Sequence, residues 1–109
     1  MVSSDTLLIG HDIHVSVAAL GEVARRYNIR RLTLFGSAAR GELGPESDID
    51  LIVEFESGKA PSLGGMLDIQ DAFSKLFGGR KVDLATLGIL NNPYRRRAIQ
   101  KDMEVLYAA

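Results

Sequence analysis

The sequence predicts an α/β chain of the α+β kind, a small mixed sheet with flanking helices. Three observations predict it. Apolar residues recur at helical spacing near 15–27, 63–77 and 94–106. Between these windows lie short runs with strand character, at 32–35, 47–55 and 81–84. The connection between the first two runs is too short for a crossover helix, so part of the sheet is expected to be antiparallel.

Each element has a local reason. Residues 1–14 are expected to be a variable lead-in and 15–109 the folded domain. His11 and His14 fall in the lead-in, three apart, which fits a solvated helix start better than a zinc site lacking further ligands. Val17, Leu20, Ala24 and Tyr27 mark the first helix, and Arg25, Arg26, Arg30 and Arg31 lie at its end and following turn, where cations suit the helix dipole. Leu32 to Phe35 is the first strand, followed by a short helical stretch at Ala38 to Gly41. Ser62 is the expected N-cap of a helix from Leu63 to Phe77, which Gly78-Gly79 end. Lys81 to Leu84 is a short strand with Val82 and Leu84 inward. Asn92 and Pro93 begin a last helix, expected to run from Tyr94 to about Leu106 and to bury Ile99, Met103 and Leu106. Arg95, Arg96 and Arg97 on it are expected to form a solvated face.

At 109 residues the chain is sized for one domain. An apolar fraction of 46% with 25% charged residues is ordinary for a globular protein. A net charge of −1 gives no general attraction to nucleic acid or to anionic membrane. There is no cysteine, hence no disulfide framework or thiol chemistry. The start lacks a basic n-region and no apolar run approaches about 18 residues, so a cytoplasmic location is expected.

The chemistry concentrates between Leu32 and Val53. The first strand breaks at Gly36-Ser37, turns through Gly41, Gly44 and Pro45, and re-enters a strand that carries Asp48 and Asp50. Strand side chains alternate between faces, so Asp48 and Asp50 share one face while Ile49, Leu51, Val53 and Phe55 share the other. Two carboxylates on one face repel, and a hard divalent cation removes the conflict, as where Mg²⁺ is held by carboxylates plus phosphate oxygens. The pair alone also fits the solvent face of an edge strand, although Asp is depleted in strands. Gly36 permits close backbone approach to a ligand, and N–H groups after it would face a phosphate. Arg40 lies about one helical turn beyond Gly36, within reach of a triphosphate. Other motifs fail on spacing. Glu42-Leu43 stand where a P-loop needs Lys and Ser or Thr, Ile52 and Lys59 occupy ligand positions of a calcium loop, and no Gly-x-Gly-x-x-Gly occurs.

Gly36-Ser37, ten residues, then Asp48-x-Asp50 resembles the signature of the DNA polymerase β-like nucleotidyltransferase superfamily. The fuller strings Phe35-Gly36-Ser37-Ala38-Ala39-Arg40-Gly41 and Ser47-Asp48-Ile49-Asp50-Leu51 are similar to its small prokaryotic branch, the minimal nucleotidyltransferases (MNT, MntA-like). The resemblance spans roughly residues 15 to 108. It implies the polymerase β-like fold and makes 15–109 the nucleotidyltransferase domain. It implies two Mg²⁺ ions (or Mn²⁺) held by Asp48 and Asp50, with ATP as substrate and Gly36 and Ser37 on its triphosphate. It also assigns Asp83 as the third acid, on the strand beside the pair, where Lys81 shares its face and is placed to meet a phosphate or balance the acids.

Members of this branch are often antitoxins of HEPN/MNT toxin–antitoxin systems. The resemblance therefore implies a HEPN-domain toxin as partner, a tyrosine hydroxyl on it as acceptor of AMP, and neutralisation of a type VII-like kind. A homo- or hetero-oligomer fits this reading, whereas direct nucleic-acid binding and a membrane do not. Two alternatives stay open: a non-catalytic antitoxin that covers its HEPN partner, and a small-molecule nucleotidyltransferase of the aminoglycoside-modifying type.

Overall fold

The computed structural model describes residues 6–9, 13–42, 44 and 47–109. Strands β1 (Thr6–Ile9) and β2 (Ile13–Ser16) form an antiparallel hairpin ahead of α1 (Val17–Arg26). Then follow β3 (Ile29–Phe35), β4 (Ile49–Phe55), α2 (Leu63–Leu76), β5 (Val82–Ala85), a 3-10 turn (Leu87–Asn91), α3 (Pro93–Gln100) and β6 (Glu104–Ala108). The main sheet has the order β5-β4-β3-β6. Its β3–β4 and β3–β6 pairs are antiparallel, and β4–β5 is parallel with α2 as the crossover.

The helices start where side chains replace missing backbone partners. The Ser16 hydroxyl oxygen accepts from the Ala19 N–H, and Ser62 accepts from Gly65. Asn92 accepts from both Tyr94 and Arg95, with Pro93 in the first turn. One amphipathic stripe on α1 buries Leu20, Val23 and Ala24, and α2 buries Ile69 and Phe73. These meet Leu32, Leu34, Ile49, Leu51 and Val53 of the central strands in the main core, where Phe73 and Phe77 stack at 6.1 Å. The other sheet face is thinly covered: Phe35, Ile52 and Ile99 form a second small cluster. Both central strands are therefore buried on two sides over part of their length, which accounts for the consecutive buried residues Leu32–Phe35 of β3 and Leu51–Val53 of β4.

Four expectations are corrected, the last of them at the C-terminal helix. Where a loose lead-in was expected, the β1–β2 hairpin places Ile9 and Val15 in the main core. His14 is an exposed strand residue, and His11 lies outside the described residues. The stretch at Ala38 to Gly41 is a series of turns, not a helix.

The last helix ends at Gln100, and Glu104–Ala108 is a strand on the open side of β3. Ile99, Met103 and Leu106 mimic helical spacing, but Val105 and Tyr107 are poor helix formers and good strand formers. Pairing Arg31 with Ala108 and Leu32 with Tyr107 satisfies the β3 backbone, which a continued helix would leave unpaired there.

Because the two cores differ so much in size, truncating them should cost different amounts. Phe73→Ala is expected to lower the unfolding free energy by about 4 kcal/mol and Ile99→Ala by about 2 kcal/mol, measured by urea denaturation. Equal losses would mean that the second face carries far more of the stability than its three buried residues suggest.

Candidate active site

Register brings the acids together. In β4–β5 Asp50 pairs with Asp83, and in β3–β4 Asp50 pairs with Phe35. Paired residues on neighbouring strands point to the same face, so Asp50 and Asp83 project side by side. Asp48, two residues before Asp50, follows the same alternation just ahead of β4. This is the face of the Phe35–Ile52–Ile99 cluster, opposite α1 and α2.

Gly36 leaves β3 beside this group with φ of 77°, a backbone conformation that side chains disfavour. A Cβ there would lie 2.4 Å from the Asp50 carboxylate, so the backbone approaches the acid as closely as only glycine allows. Tight turns follow: Arg40 N–H donates to the Gly36 carbonyl, Gly41 to Ala38 and Glu42 to Ser37. The N–H groups of Ser37, Ala38 and Ala39 donate to no backbone carbonyl of the described residues. Successive free N–H groups in a turn form an anion-binding concavity. The N–H groups expected at a helix start after Gly36 thus lie in a turn.

The electrostatics follow from this crowding. Burial, and then the charges of Asp83 and Asp48, push the Asp50 carboxyl above the usual carboxylate range, and Arg40 opposes them. Arg40 itself is held above its ordinary value, first by its hydrogen bond to Glu42, at 2.9 Å. Its guanidinium also lies 3.9 Å from Asp102, so it bridges the glycine turn to the end of α3. The Lys81 ammonium lies 3.9 Å from Asp48 and is mostly exposed. The sequence reading set Lys81 on the face of Asp83 to meet a phosphate or balance the acids, and the acid it pairs with is Asp48.

Among the described residues, no three His, Cys, Asp or Glu side chains converge closely enough to enclose a metal ion as they stand. The donor set nonetheless fits a hard divalent cation. All three groups are carboxylates, and the Asp50 carboxyl is raised first by burial and then by the charges of Asp83 and Asp48, both of which a bound cation would offset.

Arg80 was not singled out from the sequence. Its guanidinium donates to the carbonyls of Gly44 and Ser47, at 2.9 Å for the latter, and so pins the segment leading into Asp48. Ser74 of α2 donates to the Arg80 carbonyl at 2.7 Å, and the Ile49 N–H donates to the Lys81 carbonyl. One short segment thus anchors both the approach to Asp48 and the strand that carries Asp83. No local pattern announces this, because the contact spans 33 residues.

A comparison of the whole chain decides its family: residues 18–106 match the model of the nucleotidyltransferase domain. The chain belongs to the nucleotidyltransferase domain family. A candidate protein adenylyltransferase of Methanocaldococcus jannaschii is 41% identical over 78 residues, covering 72% of this chain and 77% of that protein. The protein adenylyltransferase MntA of Thermococcus cleftensis is 33% identical over 86 residues, 79% of this chain and 81% of that one. A solved structure of a candidate minimal nucleotidyltransferase superposes with a TM-score of 0.63 at 30% identity, covering 81% of this chain and 86% of that one. The polymerase β-like nucleotidyltransferase fold implied by the sequence resemblance is thereby shown.

Two substitutions test this geometry. Gly36→Ala forces the turn and the Asp50 carboxylate apart, and is expected to cut nucleotidyl transfer about a hundredfold with the fold retained. Asp50→Asn should abolish transfer yet raise the melting temperature at neutral pH. The sign follows from linkage: a carboxyl raised on folding favours the folded state when protonated, and that benefit is lost as pH rises through its folded pKa. Thermal melts of the parent should therefore gain from acidification towards the ordinary carboxylate range through this group, and the Asn variant should lack that gain.

Proposed function

We propose that this nucleotidyltransferase transfers AMP from ATP to a hydroxyl, of the tyrosine type, on a HEPN-domain toxin, and thereby acts as the antitoxin of a type VII-like pair. The observation that carries the chemistry is the in-register pair Asp50 and Asp83, with Asp48 on the same alternation and Gly36 packed against Asp50. The acceptor rests on the MNT resemblance and on relatives named as protein adenylyltransferases, with MntA among them.

In this reading Asp48, Asp50 and Asp83 hold Mg²⁺, two ions in the family pattern, with Mn²⁺ as a substitute. Such ions neutralise phosphate charge and lower the pKa of a bound hydroxyl. The N–H groups of Ser37, Ala38 and Ala39 and the Ser37 hydroxyl orient the triphosphate, with Arg40 and Lys81 at its flanks. The acceptor oxygen bonds to the α-phosphorus, the bond to the β-phosphate oxygen breaks, and diphosphate leaves. Asp83 is more exposed than Asp48 or Asp50 and takes the hydroxyl proton. Arg80 keeps Asp48 aligned throughout by holding the Gly44 and Ser47 carbonyls.

Intact-mass spectrometry of a purified HEPN-domain partner after incubation with this protein, ATP and Mg²⁺ tests the proposal. One or more AMP units should appear on the partner, and none with Asp48→Ala combined with Asp50→Ala. No AMP in either sample, with neutralisation surviving in the double variant, would overturn the enzymatic reading in favour of a covering antitoxin.

A further inference from the structure

Helix α3 buries Ile99 and leaves its other residues exposed. At 100° per residue, Tyr94, Arg97 and Lys101 fall at i, i+3 and i+7 and form one stripe. Ile99 lies two residues from both Arg97 and Lys101, so this stripe points directly away from the buried side. Tyr94 is 84% exposed, and Arg95 and Arg96 widen the cationic surface. Among the described residues no carboxylate lies within 4.0 Å of the charged groups of Arg95, Arg96, Arg97 or Lys101. Residues 87–101 hold four of the chain's 13 lysines and arginines and none of its 14 acids. The remainder is accordingly acidic.

We propose that this α3 stripe docks an acidic patch of the acceptor protein and so delivers the acceptor side chain to the acids. This rests on the protein-adenylyltransferase reading above and names the surface that selects its substrate. Three features support it. The composition is that of an interface centre, since Tyr and Arg are enriched there. The position is right, because α3 lies on the sheet face of Asp50 and its end is tied to the glycine turn by the Asp102–Arg40 pair. The stripe faces solvent, so a folded partner can seat along its length of about 12 Å without displacing Ile99 from the cluster beneath. A folded acidic surface is favoured over nucleic acid because Asp102 and Glu104 follow the stripe directly in the chain, and the acids of Asp48, Asp50 and Asp83 lie on the same sheet face, where they would repel an extended polyanion.

The test is steady-state transfer to the purified HEPN-domain protein, with the full chain carrying Arg97→Glu and Lys101→Glu. A second variant, Arg97→Gln with Lys101→Gln, removes charge with less strain on the helix end. The expected result is a rise of about tenfold or more in KM for the acceptor with reversal and a smaller rise with neutralisation, while kcat and the KM for ATP stay constant. Raising salt from about 50 to about 300 mM should weaken the parent strongly and the reversed variant little. Unchanged acceptor KM in both variants, with transfer intact, overturns the docking surface and leaves the adenylylation reading standing. So does loss of binding to a single-stranded RNA oligonucleotide with acceptor KM unchanged, which would make α3 a nucleic-acid contact. If the parent transfers nothing, direct titration of the same HEPN-domain protein decides. Salt-sensitive binding lost in the variants supports docking while adenylylation fails, and no binding by the parent overturns the surface.

Discussion

The antiparallel pairing of β3 with β4 is the constraint on which the rest depends. It sets Phe35 opposite Asp50, and the next residue, Gly36, then turns against the Asp50 carboxylate. A slip of one residue would carry Asp50 to the face where Leu51 and Val53 meet the helices, and would expose those two side chains in exchange. Burying an unpaired carboxylate there is costly, so the apolar pattern of β4 enforces the position of its acids. The parallel addition of β5 then brings Asp83 beside Asp50 without further adjustment.

Bringing these acids together works against folding. Asp50 loses solvent and gains two like-charged neighbours, and Arg40 offsets this only in part. The strain is tolerated because the main core lies on the other side of the sheet, where Ile49, Leu51, Phe73 and Phe77 are fully buried. The acidic face is held by a small cluster and by polar ties, chief among them Arg80 on the Gly44 and Ser47 carbonyls. Rigidity on one face and crowded charge on the other follow from one sheet covered unequally.

Helix α3 shows how far local rules reach. Its Asn92 cap and Pro93 start are properties of neighbouring residues, and both are read directly from the chain. Its end is not. Met103 and Leu106 continue the helical spacing of Ile99, yet Met103 packs on the second cluster and Leu106 joins the main core from a strand. The open side of β3 decides between the two periods, and that side exists only once the sheet has formed.

Local sequence determined the succession of β3 and β4 about a glycine break, the capped helix starts at Ser62 and Asn92, and the sharing of one face by Asp48 and Asp50, because each depends on residues close in the chain; the Ser16 cap emerged only in the structure. It also determined the family, through the Gly36-Ser37 and Asp48-x-Asp50 spacing. Tertiary structure alone decided that Glu104–Ala108 is a strand, that the first residues form a hairpin feeding Ile9 and Val15 into the core, and that Arg80 holds the approach to Asp48. It also placed Asp83 in register with Asp50, which the resemblance had implied and no spacing could supply. The physical reason is common to these cases: each depends on a partner distant in sequence, whose backbone or side chain becomes available only when the sheet is assembled.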